Sequence, residues 1–204
     1  AYCRRVRRDY PVVLPEHRAR TDRVSSYVLP EIIGNACRGD EIIVTGNGTA
    51  YTSTFQVMPL KPGMRMFANV GCASMGYGLP AAIGAALAGG GRSVICLTGD
   101  GSIQMNVQEL QTVLNLRLPL KLFVYNNDGY LSIKLTQNAF FGGERIGSDP
   151  GSGIVLPDLC RLAAAYGWPT FRLRNNREAE QLVPEILAMA GPVFCEVLTD
   201  PLEQ

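Results

Sequence analysis

The stretch Val94-Ile95-Cys96-Leu97-Thr98-Gly99-Asp100-Gly101-Ser102 decides the architecture. Four apolar residues and a threonine run without alternation into an acid flanked by two glycines. An unbroken apolar run bounded by turn residues reads as a strand buried on both faces. A second run of the same kind, Leu120 to Tyr125, leads straight into Asn126-Asn127-Asp128-Gly129-Tyr130. Between them, Asn106 to Leu116 reads as a helix. Strands of this type separated by helices imply parallel pairing with helices on both faces of the sheet.

Working outward, the same alternation begins near Thr21. Val24, Tyr27, Val28, Ile32, Ile33 and Ala36 recur at helical spacing, and Glu41 to Thr45 is a short apolar strand. Tyr77 to Ala88 is a helix rich in small residues, able to lie close to a sheet. Asp158–Tyr166 and Arg177–Ala190 read as later helices, and Thr170–Leu173 and Val193–Leu198 as later strands. The expected fold is therefore α/β, a doubly wound and mainly parallel sheet. Residues 1–20, rich in Arg and Pro and without periodicity, are expected to be a linker or tail, and residues 21–204 one domain.

With 204 residues, 47% of them hydrophobic and 18% charged, the chain is long and apolar enough for a sizeable core. Its net charge of +1 hides an asymmetry. Residues 1–23 carry seven Arg against three acids, and the remainder 12 basic against 15 acidic residues. The body has no basic stripe that would continue the basic head, so nucleic acid is not an expected partner. The apolar run from Leu79 to Ala88 is too short to cross a bilayer, and no membrane association is expected. Six Cys occur with no C-x-x-C pair, several inside apolar runs. They read as free thiols in a reducing compartment, which points to the cytoplasm.

Both polar clusters fall at one edge of the sheet, the carboxyl edge where such folds bind ligands. The glycines beside Asp100 let backbone amides approach a ligand, and the carboxylate is a hard oxygen donor. Magnesium takes few protein oxygens and completes its shell with phosphate and water. Asp100, the side-chain oxygen of Asn127 and the carbonyl of Gly129 could supply three ligands, and a diphosphate two. Neither cluster contains Lys or Arg, so metal, loop amides and helix N-termini would offset the phosphate charge. One such helix is expected to start at Asn106, with Asn106 and Glu109 as a capping box.

Gly99-Asp100-Gly101, twenty-four intervening residues, then Asn126-Asn127 resembles the signature of the thiamine-diphosphate-dependent enzymes. Gly71-Cys72-Ala73-Ser74-Met75-Gly76-Tyr77-Gly78 is similar to the acetolactate-synthase segment that faces the cofactor's aminopyrimidine. Thr45-Gly46-Asn47-Gly48-Thr49-Ala50 sits where that family has a diphosphate-contacting loop. Asn127-Asp128-Gly129-Tyr130 is similar to the pyruvate-decarboxylase version of the second motif. The resemblance runs from about Thr21 onward and identifies the chain as the diphosphate-binding (PP) domain.

The resemblance implies thiamine diphosphate and Mg2+ as cofactors, the ion on Asp100, Asn127 and Gly129. It implies diphosphate contacts from Asn47, Gly48, Thr49 and Ala50, and from Gly101, Ser102, Tyr130 and Leu131. The segment Ala73–Ser74–Met75 would meet the pyrimidine, through the Ala73 carbonyl and a Met75 side chain wedged under the folded cofactor. It implies a partner pyrimidine-binding (PYR) domain, on this or another chain, whose Glu activates the cofactor. It further implies a homo-oligomer, dimer or tetramer, acting on a 2-oxo acid by decarboxylation and acyl transfer. The PYR domain cannot be placed in these residues, so the chain is expected to be a fragment or a split subunit, inactive alone. Leu131 to Phe141 departs from the biosynthetic acetolactate synthases, which leaves a simple 2-oxo acid decarboxylase open, as well as a non-catalytic relative. Lys134 and Gln137 could face substrate, though an exposed helix or loop face is the preferred reading, and His17 reads as an exposed linker residue.

Overall fold

Parallel pairing is the first prediction met by the computed structural model, which describes residues 2–203. Ala1 and Gln204, the outer ends of the expected tail and domain, lie outside the described residues. The strands are β1 (Ile42–Thr45), β2 (Arg65–Ala68), β3 (Val94–Gly99), β4 (Leu120–Asn126), β5 (Thr170–Leu173) and β6 (Val193–Leu198). They form one sheet in the order β2-β1-β3-β4-β6-β5, every neighbour parallel. The chain leaves β1 outward to β2 and returns to the other side of β1 for β3. That reversal places the tips of β1, β3 and β4 around one crevice.

The period-two alternation along each strand splits the core in two. Val44, Val94, Cys96, Leu122 and Val124 face one side, under α5 (Gly78–Ala88), α7 (Glu109–Asn115) and α9 (Leu159–Ala165). Ile43, Ile95, Leu97, Phe123 and Tyr125 face the other, under α3 (Val28–Ala36), α4 (Thr49–Val57) and α10 (Asn176–Ala188). Burial on both faces is what the uninterrupted apolar runs required. Truncating a fully buried ring such as Phe123 would cost about 3–5 kcal/mol. The small residues of α5 do let it lie close: a Cβ on Gly78 would come 3.3 Å from the Cα of Gly46.

Several elements differ from the sequence reading. Val24 is not helical; it makes a parallel bridge with Thr199, and the helix starts at Val28. β2 is an edge strand, half exposed and opened by Arg65, so it lacks the apolar run that marks the central strands. The helix expected from Asn106 begins earlier, at Asp100, as α6 (Asp100–Ile103), and passes through a 3-10 turn before α7. The expected capping box is absent: Asn106 donates its amide to the Gly76 carbonyl, and Glu109 accepts from the Thr112 hydroxyl at 2.7 Å.

The Arg-rich head is helical in two pieces, α1 (Tyr2–Asp9) and α2 (Pro15–Ala19). Its last turn docks on the body. Arg18 pairs with Glu31 through two hydrogen bonds of 2.6 and 3.0 Å, and Asn176 donates to the carbonyl of His17 at 2.8 Å. His17 is half-buried, stacked on Tyr27 with ring centroids 4.9 Å apart, so it is not the free exposed residue expected. No helix of the described residues is long and apolar enough to cross a membrane.

Candidate functional site: the paired tips of β3 and β4

β3 and β4 run in register as far as Gly99 opposite Tyr125, so their polar tips emerge side by side. Asp100 opens α6 and is only 2% exposed. Its carboxylate accepts three backbone N–H bonds: from Gly101 at 2.7 Å, Asn127 at 3.1 Å and Gly129 at 3.0 Å. Two of these donors belong to the β4 tip, so the acid itself ties the two loops together. Burial raises its pKa to about 6, and the three amides, then Lys134, oppose that rise.

Asn127 is also buried, and its side-chain oxygen has no hydrogen-bond partner among the described residues. A buried amide oxygen without a partner costs about 1–3 kcal/mol, and such atoms in folded proteins await an ion, water or ligand. The loop around it is forced into shape. Asp128 has φ +57° and Gly129 φ +121°, and a Cβ at Gly129 would overlap the Ser148 carbonyl oxygen. That carbonyl also accepts from the Tyr130 N–H at 2.8 Å. Gly101 likewise has no room for a side chain, because the Tyr130 ring covers it.

These tips and the start of α4 line one open cleft. Asn47, Gly48, Thr49 and Ala50 line its β1 side, where Gly48, at φ +57°, leads into α4. Asp100, Gly101, Ser102, Asn127, Gly129 and Leu131 line the opposite side, and Met75 the rim. Sequence reasoning missed Gly99, Tyr125 and Ser132, which also line it. Ala73 and Ser74 lie outside this lining, exposed on the loop that carries Met75, with Ala73 at φ +48°. Tyr130 is absent from the lining; its ring packs on Gly101. Ser102 accepts the Gly76 N–H at 2.9 Å, so its oxygen anchors the Met75 loop as well as facing the cleft.

One correction concerns charge. Lys134 is not on an exposed face; it is 1% exposed, and its ammonium donates to the Asn127 carbonyl at 2.9 Å. The β4 tip therefore does have a cation, brought back beneath it by α8 (Leu131–Phe140). Burial holds the Lys134 pKa down, against the pull of Asp100. Gln137, one turn on, is half-buried, donating to the Ile146 carbonyl at 3.0 Å and accepting from the Ser148 hydroxyl at 2.8 Å.

The first asparagine of the pair is structural. Asn126 donates to Glu196 at 2.7 Å and accepts from the Asp128 N–H at 3.1 Å. Glu196 belongs to a group with Asp158 and Cys160 whose ligand atoms lie within 4.8 Å of one another. Arg172 fills that space, pairing with Asp158 at 2.8 Å and Glu196 at 2.5 Å, so the group is a closed ion-pair network.

An acid and an unpartnered amide oxygen at adjacent strand tips, over glycines that leave room for phosphate, fit a metal-bridged diphosphate. The domain family described as "Thiamine pyrophosphate enzyme, C-terminal TPP binding domain" matches residues 46–197. The chain belongs to the thiamine pyrophosphate enzymes. It is 32% identical over 200 residues to the acetolactate synthase isozyme 1 large subunit of Escherichia coli K12, covering 98% of this chain and 34% of that protein. It is 32% identical over 198 residues to the acetolactate synthase large subunit of Porphyra purpurea, covering 95% and 32%. The chain thus spans about a third of the length of the curated relatives it matches. The fold recurs in a thiamine diphosphate-dependent 4-hydroxybenzoylformate decarboxylase of Rhodococcus jostii RHA1, with a TM-score of 0.79 at 24% identity over 91% of this chain and 34% of that one. It recurs also in a benzoylformate decarboxylase of Polynucleobacter necessarius, with a TM-score of 0.79 at 23% identity over 93% and 35%.

Proposed function

We propose that this domain holds thiamine diphosphate through a Mg2+ ion, in an enzyme that decarboxylates a 2-oxo acid and transfers the acyl unit to a second carbonyl. The observation that carries the reading is the buried Asp100 carboxylate beside the unpartnered Asn127 oxygen. Asp100, Asn127 and the carbonyl of Gly129 would hold the ion. The first turn of α4, from Gly48 to Ala50, and the amide of Ser102 would receive the phosphate oxygens, with Gly101 leaving room for them. Leu131 closes the apolar side of the cleft, and Met75 at the rim would support the cofactor's rings from below. Thiamine diphosphate held there would supply the carbanion chemistry that decarboxylation of a 2-oxo acid needs.

The substrate class and the acyl transfer rest on the relatives, which are named acetolactate synthases. The missing length relative to them supports a separate pyrimidine-binding domain facing the cleft, and Met75, 41% exposed, fits an edge that such a domain covers. A dimer, and a cytoplasmic setting for the six free thiols, complete the reading. A non-catalytic role is disfavoured because the donor set is intact.

The test is calorimetric titration of the protein that carries this chain with thiamine diphosphate plus Mg2+, beside Asp100→Ala. Saturable binding that disappears in the variant and on chelation is expected. Equal binding by both proteins would remove Asp100 from the site and sink the proposal.

A further inference from the structure

The two peptide groups on either side of the Asn127 Cα are both pinned. The N–H before it goes to Asp100 at 3.1 Å, and the carbonyl after it accepts from Lys134 Nζ at 2.9 Å. The side-chain oxygen is the atom left without a partner. A residue clamped through its backbone and free at its side-chain oxygen is oriented for something outside its own loop.

The clamp on the carbonyl is costly to build. Lys134 is 1% exposed, a position where a long cationic side chain loses both hydration and rotamer freedom. A charged donor holds that carbonyl more strongly than a neutral one would. The hydrogen bond to Asn127 is the only one the ammonium makes among the described residues. Its position is held by α8, whose Lys134 N–H bonds the Tyr130 carbonyl at 2.9 Å. Tyr130 is in turn held by the Ser148 carbonyl at 2.8 Å, the same atom that excludes a side chain from Gly129. The cation is thus built into the same frame as the loop it holds.

Resting on the metal–diphosphate reading of the cleft, we propose that Lys134 is a positioning residue for the metal-binding loop. It fixes the carbonyl of Asn127, and with it the loop that carries the Asn127 side-chain oxygen, before a divalent cation arrives. It touches neither the ion nor the cofactor; its effect passes through Asn127. Partners behind metal ligands of this kind typically change affinity ten- to a hundredfold when removed.

The test uses Mn2+ as the probe, with thiamine diphosphate present and free Mn2+ followed by electron paramagnetic resonance, on the protein that carries this chain. Lys134→Met, of similar length and apolar, is expected to weaken Mn2+ binding tenfold or more, and Lys134→Arg to restore it to within threefold of wild type. Amide hydrogen exchange on the metal-free proteins gives a second readout. Asn127 and Gly129 should exchange at least tenfold faster in Lys134→Met, while Leu97 in β3 stays as protected as in wild type. A residue that merely filled space would alter protection throughout and leave Mn2+ affinity unchanged. Mn2+ affinity within twofold of wild type in Lys134→Met would overturn the inference. Should that variant fail to fold, Lys134→Gln is read in its place: a three- to tenfold loss supports the inference and wild-type affinity overturns it. A wild-type protein that binds no Mn2+ with thiamine diphosphate would refute the reading of the cleft itself, and this inference with it.

Discussion

Asp100 makes the proposed metal site sensitive to pH. Its pKa in the metal-free fold is raised from 3.8 to about 6, chiefly by burial. A carboxyl raised in this way contributes stability below its unfolded pKa, and that contribution is lost as the pH rises through the folded pKa. The rise is worth about 3 kcal/mol, so ionising Asp100 costs the metal-free protein about that much between pH 4 and pH 7. A divalent cation reverses the preference, because it binds only the carboxylate. Apparent Mn2+ affinity should therefore fall about tenfold between pH 7.5 and pH 5, since about nine-tenths of Asp100 is protonated one unit below its pKa. The assay is Mn2+ titration with thiamine diphosphate at half-unit pH steps. The same titration without protein corrects for protons taken up by the diphosphate. The stability arm compares wild type with Asp100→Asn by urea denaturation in chelator. The difference between the two should change by about 2–3 kcal/mol between pH 4 and pH 7, wild type losing ground as the pH rises. Corrected Mn2+ affinity that is flat from pH 5 to 7.5 would refute the reasoning.

Two further outcomes follow from the loop geometry. Gly129→Ala places a Cβ on the Ser148 carbonyl oxygen at a φ of +121°, and should cost about 2–4 kcal/mol in urea denaturation; a loss below 0.5 kcal/mol would mean that the loop yields freely. Glu196→Ala leaves Arg172 with Asp158 alone and frees the Asn126 amide. It should cost about 2–4 kcal/mol and weaken Mn2+ binding, and unchanged Mn2+ affinity would detach Asn126 from the site.

How much was visible beforehand depends on which force sets each element. Burial on both faces leaves a plain trace, so β1, β3, β4 and β6 could be read from their apolar residues, while β5 is a partly buried edge strand. β2 could not, because an edge strand is half wet and Arg65-Met66-Phe67-Ala68 has no long apolar run. α4 was missed for a related reason: Thr49 to Val57 is mostly Thr, Ser and aromatic, with no apolar stripe, and it is shaped by the strand beneath it. The polar tips of β3 and β4 were legible because an acid between glycines at a strand end is uncommon. Their surroundings were not. Lys134 lies seven residues beyond Asn127, and only the entry angle of α8, set by the Tyr130–Ser148 bond, turns it under the loop. The capping role expected of Asn106 failed because α6 begins directly at the acid, which Gly-Asp-Gly disguises as a turn.

Both donor-bearing strands occupy the middle of the sheet, flanked by β1 on one side and β6 on the other. Fraying on heating starts at the rims, here β2 and β5, where backbone bonds are shared with one neighbour only. The distance between the Asp100 and Asn127 tips is therefore among the last things to change before global melting. Heat should abolish metal binding abruptly and together with the main unfolding transition, with no gradual decline ahead of it.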